Sequence, residues 1–339
     1  MSPSQKTSVE ASLVSTAPSQ RVNSARRHPA LYAAGWLALA ALVIAPWLVP
    51  SQFLVHLAVL AALNVISVNG LALISRSGQL SLGHAAFIAV GAYVSVLLSM
   101  HAGVGFLLGT VGGMLATGLV ALVLGWVILR LRGVYFVLVT FAFGELVRLV
   151  LLDLGTLTGG ANGLTGIVSA ELFGFVFDTR TRFYGLALTL AVVSTFCMYR
   201  LFRNPLGHAI DSVANNAALA ESTGMNVHRL QVFCFVAGCL LAALAGSLQA
   251  RYIGYISPES FNTGISVGLI VMLVIGGRHV VLGPVIGAIV LTPLPELFRG
   301  AVQTQHIFYG AALILILRFM PGGLASIPTL MKRLWRRAP

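Results

Sequence analysis

The run VGFLLGTVGGMLATGLVALVLGWVIL, residues 104–129, contains no charged side chain. It is long enough to cross a bilayer, because a transmembrane helix needs about 20 predominantly apolar residues. Hydrophobic residues make up 58% of the chain and charged residues only 9%, whereas soluble proteins carry about 25% charged residues. The candidate spans are residues 31–49, 53–75, 79–100, 104–129, 134–154, 183–202, 229–250, 263–277, 280–298 and 306–320. We therefore predict an all-α fold, a polytopic transmembrane helical bundle of about ten spans, in which 263–277 and 306–320 could be re-entrant.

The basic residues predict the orientation of this bundle. With a cytoplasmic N-terminus and ten spans, the C-terminus is also cytoplasmic, and the inside segments hold sixteen of the 21 Lys and Arg residues. One more, Arg148, lies within a span. The other four lie outside: Arg180, Arg182, Arg251 and Arg299. This asymmetry follows the positive-inside rule, so the net charge of +12 indicates a lipid bilayer rather than nucleic acid as the partner.

The same pattern divides the chain into three parts. Residues 1–30, rich in Ser, Thr, Gln and Arg, predict a disordered cytoplasmic tail. Residues 31–320 form the transmembrane domain, and residues 321–339 form a basic cytoplasmic tail. The cysteines lie in apolar stretches without metal-ligand spacing, so we expect buried small apolar side chains at Cys197, Cys234 and Cys239.

Two predicted loops are longer than connections between neighbouring helices usually are. Residues 155–182 face outside and are rich in glycine. Residues 203–228 face the cytoplasm, and their stretch Ala209–Ala220 predicts a short helix that Gly224 ends as a helix C-terminal glycine. Such a helix could be a docking element for a cytosolic protein or a solvated connector.

The chain lacks the phosphate-binding loop of an ATPase. Its only lysines, Lys6 and Lys332, do not follow a glycine, so it has no phosphate-binding loop with the G-x-x-x-x-G-K-[ST] pattern. The H-E-x-x-H pattern of metalloproteases does not occur either. We predict that the protein is not an enzyme and has no catalytic, cofactor-binding or metal-binding residues. Any uphill transport would then use an ion gradient or the ATP of a partner.

Two acidic residues, Glu145 and Asp153, lie at predicted membrane depth. Intramembrane acids are costly and often mark ion or substrate pathways. Arg148 follows Glu145 by three residues, so the two opposite charges can meet on one face of a helix. The pair could be purely structural or could take part in gating.

Five motifs follow one another over roughly residues 55–300. Four of them are SGQLSLGHAAFIAVGAY (77–93), LRGVYFVLVTFAFGELVR (131–148), TGGANGLTGI (158–167) and GGRHVVLGPVIGA (276–288). The fifth is the cytoplasmic loop, with its glycine, its run of alanines, a Glu and then Gly-Met-Asn, which is similar to the coupling loop of ABC importer permeases. Taken in chain order, the five motifs resemble the LivM-type permeases of the branched-chain amino acid family of ABC importers. In the loop, uncharged residues at 214–217 stand where the family usually carries charges.

The resemblance implies a permease subunit in a bacterial inner membrane, importing branched-chain or related amino acids, with urea or short amides also possible. It implies three kinds of partner: two cytosolic ATPases that use ATP and Mg, a second homologous permease and a periplasmic solute-binding protein. The implied coupling-loop residues are Gly207, Ala209, Asn216, Glu221, Gly224 and Asn226. Candidates for the translocation path or its gate, which could instead be packing residues, are Gln79, Ser81, His84, Tyr135, Thr140, Glu145 and Arg148. A stand-alone, gradient-driven carrier or channel is the alternative function, and a non-transporting scaffold is a third.

Overall fold

The computed structural model describes residues 51–172, 174–278 and 280–297, together with the single positions 40, 310 and 314. Within these residues the fold is a helical bundle with seven helical segments long and apolar enough to cross a membrane. Six are the helices α1 (Gln52–Arg76), α2 (His84–Ala102), α3 (Phe106–Ile128), α4 (Val134–Asp153), α6 (Arg180–Arg203) and α9 (Val227–Ile253). The seventh is α10 (Thr263–Gly276) with the 3₁₀ turn Pro258–Phe261 before it.

Short elements connect the long helices. The short helices are α5 (Gly155–Thr158), α7 (Pro205–Asn215), α8 (Ala217–Ser222), α11 (Gly283–Leu291) and α12 (Pro293–Leu297). A second 3₁₀ turn spans Gly160–Asn162, and the strands β1 (Leu164–Thr165), β2 (Glu171–Leu172), β3 (Phe175–Val176) and β4 (Tyr255–Ile256) have two residues each. β1 pairs antiparallel with β4, and β2 pairs antiparallel with β3. The first ladder fastens the glycine-rich loop to the chain that follows α9.

Helix α1 forms the centre of the bundle. Its most apolar window is 89% buried, and it packs against α6, α9, α10 and α11. Close approach depends on glycine: a Cβ at Gly70 would overlap the carbonyl oxygen of Gly238, and one at Gly91 would overlap the backbone of Ala243. Small residues of this kind bring membrane helices together. In contrast, α3 and α4 expose large apolar side chains along most of their length, as lipid-facing helices do.

Seven of the ten predicted spans correspond to these long helical segments. The span predicted at 79–100 begins only at His84, because residues 77–83 are not helical. The span predicted at 280–298 is not confirmed, because the structure has only a shorter apolar helical segment there, Gly283–Pro295, with an interruption at Thr292. Pro293 has no N–H to continue the ladder, so α11 ends at Leu291 and α12 starts afresh. The spans predicted at 31–49 and 306–320, apart from single helical positions, and both tails lie outside the described residues.

Two predictions about single side chains are also wrong. Cys197 is exposed, because α6 turns only one face toward the bundle, whereas Cys234 and Cys239 are buried as expected. Arg251 is not a loop residue: it lies within the last turn of α9 and is only 5% exposed. The sequence predicts that Arg251 lies outside the span because the apolar run ends at residue 250.

Candidate functional site

The segment between α6 and α9 folds as two short helices, α7 and α8, against one end of the bundle, the α7 end. Pro205 occupies the first turn of α7, where its missing N–H costs no helical hydrogen bond. Gly207 is buried, and a Cβ there would lie 2.5 Å from the Cα of Phe202. Ile210 and Val213 are buried on the same side. The opposite side of α7 and α8 is exposed, and we call it the α7–α8 surface. The buried side of the same two helices holds this surface in place.

Three of the predicted coupling-loop residues set the ends of these helices. The side chain of Asn216 accepts a hydrogen bond from the Leu219 N–H at 3.1 Å, and that of Asn226 accepts one from the Arg229 N–H at 3.0 Å. Gly224 has φ +86° and follows α8, so the prediction of a helix C-terminal glycine is confirmed. The single predicted helix is two, because Asn216 interrupts it with extended backbone. Of the other three, Gly207 is buried, Ala209 is half-buried and Glu221 is exposed.

An ion pair that sequence reasoning missed joins α7 to α1. The Asp211 carboxylate accepts from Arg76 Nε at 2.7 Å and from Arg76 Nη2 at 3.0 Å. The Arg76 guanidinium also lies over the Phe202 ring, 4.0 Å from its centroid. The sequence predicts Asp211 in a short helix and Arg76 just beyond the end of a span, but it gives no sign that the two charges are neighbours.

The turn after Arg76 continues the contact at the α7 end. Gly78 has φ +92°, and a Cβ there would lie 3.4 Å from the Cα of Ala214 in α7. The Ser77 carbonyl accepts from Gln231 Nε2 at 3.4 Å. Gln79, a predicted path residue, donates to the Leu131 carbonyl at 3.3 Å. The structure therefore places Gln79 beside the α3–α4 connection at this end of the bundle.

The next residues of the chain pass into the interior before α2 begins. The Leu82 N–H donates to Thr140 Oγ1 at 3.2 Å, and the Ala85 N–H donates to Ser266 Oγ at 2.9 Å. The backbone groups freed by the break between α1 and α2 are thus bonded by side chains of α4 and α10. Such pairing is what allows irregular backbone at membrane depth. Thr140, predicted as a path residue, is fully buried here.

Two further predicted path residues are fully buried here: Ser81 lies in this break, and His84 is the first residue of α2 after it. His84 Nε2 lies 3.1 Å from the Ser67 carbonyl oxygen. Ser81 Oγ and His84 Nδ1 have no hydrogen-bond partner among the described residues. The break is therefore a polar, sequestered region between α1, α4 and α10, with unused hydrogen-bonding capacity.

The charged residues of α4 form a second polar region. Arg148 Nε lies 2.9 Å from Glu145 Oε2, which confirms the predicted intrahelical pair. Arg148 Nη1 also pairs with Glu259 at 2.6 Å, and Thr263 Oγ1 donates to Glu145 Oε1 at 2.7 Å. These extra partners attach α4 to the 3₁₀ turn and to the start of α10. Sequence spacing could not have found them.

Tyr135 and Asp153 stand apart from both polar regions. Tyr135 is 72% exposed in the first turn of α4. Asp153 is exposed as the last residue of the same helix. The predicted path residues therefore do not form one cluster. Thr140, Ser81 and His84 lie at the break between α1 and α2, whereas Glu145 and Arg148 lie in the second polar region, formed by the charged residues of α4.

Arg251 is a further candidate functional residue, which the sequence pattern did not indicate. Its Nη2 donates to Ser99 Oγ at 2.8 Å and to the Ser95 carbonyl at 3.3 Å, and its Nη1 donates to the Val168 carbonyl at 3.4 Å. The guanidinium lies 5.0 Å from the centroid of the Phe106 ring. No carboxylate pairs with it within the described part of the chain. Arg251 thus fastens α9, α2 and the glycine-rich loop together.

The described ranges contain no group of three His, Cys, Asp or Glu side chains that could hold a metal ion. The polar regions can offer hydrogen bonds and charge to a passing solute, and the α7–α8 surface can offer a contact to another protein.

Comparison with known proteins gives a consistent result. Residues 53–317 match a family model described as the permease component of branched-chain amino acid transport systems. The chain is 33% identical to the high-affinity branched-chain amino acid permease LivM of Escherichia coli, over 85% of this chain and 73% of LivM. It is 28% identical to LivH of Salmonella typhimurium, over 50% and 55% of the two chains, and 28% identical to the ribose import permease RbsC of Escherichia coli, over 72% and 84%. No solved structure matches it.

Proposed function

The chain belongs to the permease family of branched-chain amino acid transport systems, as a LivM-type member, and on that premise we propose that it is the membrane subunit of an ATP-driven importer. It is a multi-pass membrane protein, and we place it in the bacterial inner membrane with the α7 end in the cytoplasm. Its solutes in this proposal are branched-chain or related amino acids. LivM and LivH are named for branched-chain amino acids and RbsC for ribose, so this solute class rests on the similarity to LivM and LivH.

The observation that carries the proposal is the support of the α7–α8 surface. A coupling element must transmit movement, so it needs an exposed face for the ATPase and firm attachment to the bundle. The exposed side of α7 and α8 provides the face. The Arg76–Asp211 pair and the buried Gly207, Ile210 and Val213 provide the attachment.

In this mechanism a periplasmic binding protein delivers solute to the end opposite α7, and two cytosolic ATPases close on ATP. Their movement displaces α7 and α8. A ligand can shift the equilibrium between two states of a protein only if it makes different contacts with each state. A second permease would complete the path. The break with Ser81, His84 and Thr140 and the Glu145–Arg148 region are the proposed path and gate residues. The permease itself performs no covalent chemistry.

Co-purification and uptake together test this proposal. The chain is tagged at its C-terminus, extracted gently from its native membrane and analysed for accompanying proteins. We expect an ATPase with a phosphate-binding loop and a second permease in fixed ratio. In cells, uptake of labelled leucine should stop on ATP depletion and persist when an uncoupler dissipates the proton gradient but ATP is maintained. Uptake that persists on ATP depletion and stops when the uncoupler is added would contradict the proposal and favour a gradient-driven carrier.

A further inference from the structure

The guanidinium of Arg76 joins the innermost helix of the bundle to α7. Arg76 is the last residue of α1, which packs against α6, α9, α10 and α11. Asp211 lies in the middle of α7. Two parallel hydrogen bonds connect the side chains, at 2.7 Å and 3.0 Å. A bidentate pair fixes orientation as well as distance, so α1 and α7 are joined here with a defined geometry.

The surroundings hold Arg76 in this arrangement. Its side chain is 15% exposed, against 36% for Asp211. The Phe202 ring lies against the guanidinium at 4.0 Å, and planar stacking of this kind suits arginine better than lysine. Nη1 is buried without an acceptor among the described residues. The carboxylate of Asp211 is therefore the charged group that determines where the Arg76 head group lies.

A second contact one helical turn further along α7 reinforces the first. Ala214 follows Asp211 by three residues and so lies on the same face of α7. A Cβ at Gly78 would lie 3.4 Å from the Cα of Ala214, an ordinary van der Waals distance, so the turn after α1 lies next to α7 at this point. Thus α7 touches the C-terminal end of α1 and the turn after it at two neighbouring points. Tilting α7 must move that end of α1 or break the ion pair.

From these contacts we propose that Arg76 is a positioning residue of the transport cycle, which transmits displacement of α7 to α1 through its paired hydrogen bonds with Asp211. The inference rests on the proposed function, in which an ATPase moves α7. Because α1 also packs against α6, α9, α10 and α11, its displacement reaches most of the bundle. A pair that served only folding would add stability and leave the ratio of solute transported to ATP hydrolysed unchanged.

The test measures that ratio in the complete complex, purified from the native membrane and reconstituted with its binding protein. Uptake of labelled leucine and release of phosphate are recorded on the same vesicles for R76Q, D211N, R76D and the exchanged pair R76D/D211R. The matched control is R182Q. It breaks an ion pair of 3.2 Å to Asp178 whose side chains are 65% and 58% exposed at the start of α6.

We expect leucine transported per ATP hydrolysed to fall by at least about fivefold in R76Q and in D211N, the lower end of typical coupling energies. The exchanged pair should recover part of the ratio lost in R76D, and R182Q should match the wild type. Because the ratio is taken per assembled complex, a low yield does not affect it. An unchanged ratio in R76Q and D211N, or an exchanged pair no better than R76D, would overturn the inference.

The wild-type complex separates this inference from the proposed function. Wild-type vesicles that transport leucine without hydrolysing ATP would refute the proposed function before any variant is made. Wild-type vesicles that couple the two activities, with variants that couple them equally well, would refute only the role of Arg76.

Discussion

Thr263 donates a 2.7 Å hydrogen bond from Oγ1 to Oε1 of Glu145, so the start of α10 is attached to the interior of α4. The other oxygen of the same carboxylate accepts from Arg148, which also pairs with Glu259. A single carboxylate therefore serves both an intrahelical and an interhelical contact. This dual use bears directly on whether Glu145 holds the fold together or lines the path.

We expect Glu145→Gln to reduce the amount of folded protein more than it changes solute preference. The amide oxygen can still accept from Thr263, but the charge that Arg148 requires is lost, which leaves Arg148 with Glu259 alone. The measurement pairs the yield of monodisperse protein with the relative uptake of leucine, isoleucine and valine. Glu171→Gln is the matched control, because Glu171 is exposed and has no ion pair within the described residues. A changed preference at normal yield would assign Glu145 to the path instead.

The parts of the fold that the sequence predicted are those set by local chemistry. Uncharged runs such as 104–129 predict spans because helix length and apolar character are properties of one segment. Gly224 could be recognised as a helix end because a left-handed residue strongly favours glycine. Glu145 and Arg148 could be paired because three residues nearly complete a helical turn.

The contacts that build the candidate site depend instead on which helices become neighbours. Arg76 and Asp211 are 135 residues apart, and Arg148 and Glu259 are 111 apart. In lipid-facing helices hydrophobicity does not identify the packed face, because lipid tails are as apolar as leucine. The prediction that Arg251 lies in a loop outside the span is wrong for a related reason. Its hydrogen bonds to α2 allow the side chain to be buried beyond the end of its own apolar run.

Gly246 is expected to be indispensable for packing of α9 against α2. A Cβ at this position would overlap the carbonyl oxygen of Ile88, which is backbone and cannot rotate away. Gly246→Ala should therefore destabilise the protein, since overpacking typically costs about 1–3 kcal/mol. Thermal unfolding in detergent gives the comparison.

The control for Gly246 is Gly185→Ala in α6, where a Cβ would meet nothing within 4 Å. There the substitution should be neutral or stabilising, because alanine favours helix over glycine by about 1 kcal/mol. Equal melting temperatures for the two variants would contradict the close approach of α2 and α9.

Arg251 is expected to hold the glycine-rich loop against the bundle. Arg251→Met keeps much of the apolar volume but removes the donors to Ser95, Ser99 and the Val168 carbonyl. Amide hydrogen exchange around Val168 should become faster, while exchange in the centre of α1 stays slow. Arg182→Gln, an exposed position, should leave both rates unchanged. Unaltered exchange near Val168 in the Arg251 variant would show that the loop is held by the β1–β4 ladder alone.

Gly224 is expected to affect coupling through its backbone alone. Its φ is +86°, and a Cβ there would meet no atom within 4 Å, so any effect of substitution comes from conformation rather than from crowding. Valine strongly disfavours this left-handed region, whereas asparagine tolerates it. Gly224→Val should shift the path between α8 and α9 and reduce ATP-driven leucine uptake, with solute capture by the binding protein intact. Gly224→Asn should retain most of the uptake, and equal loss in both variants would locate the effect in the side chain rather than in the turn.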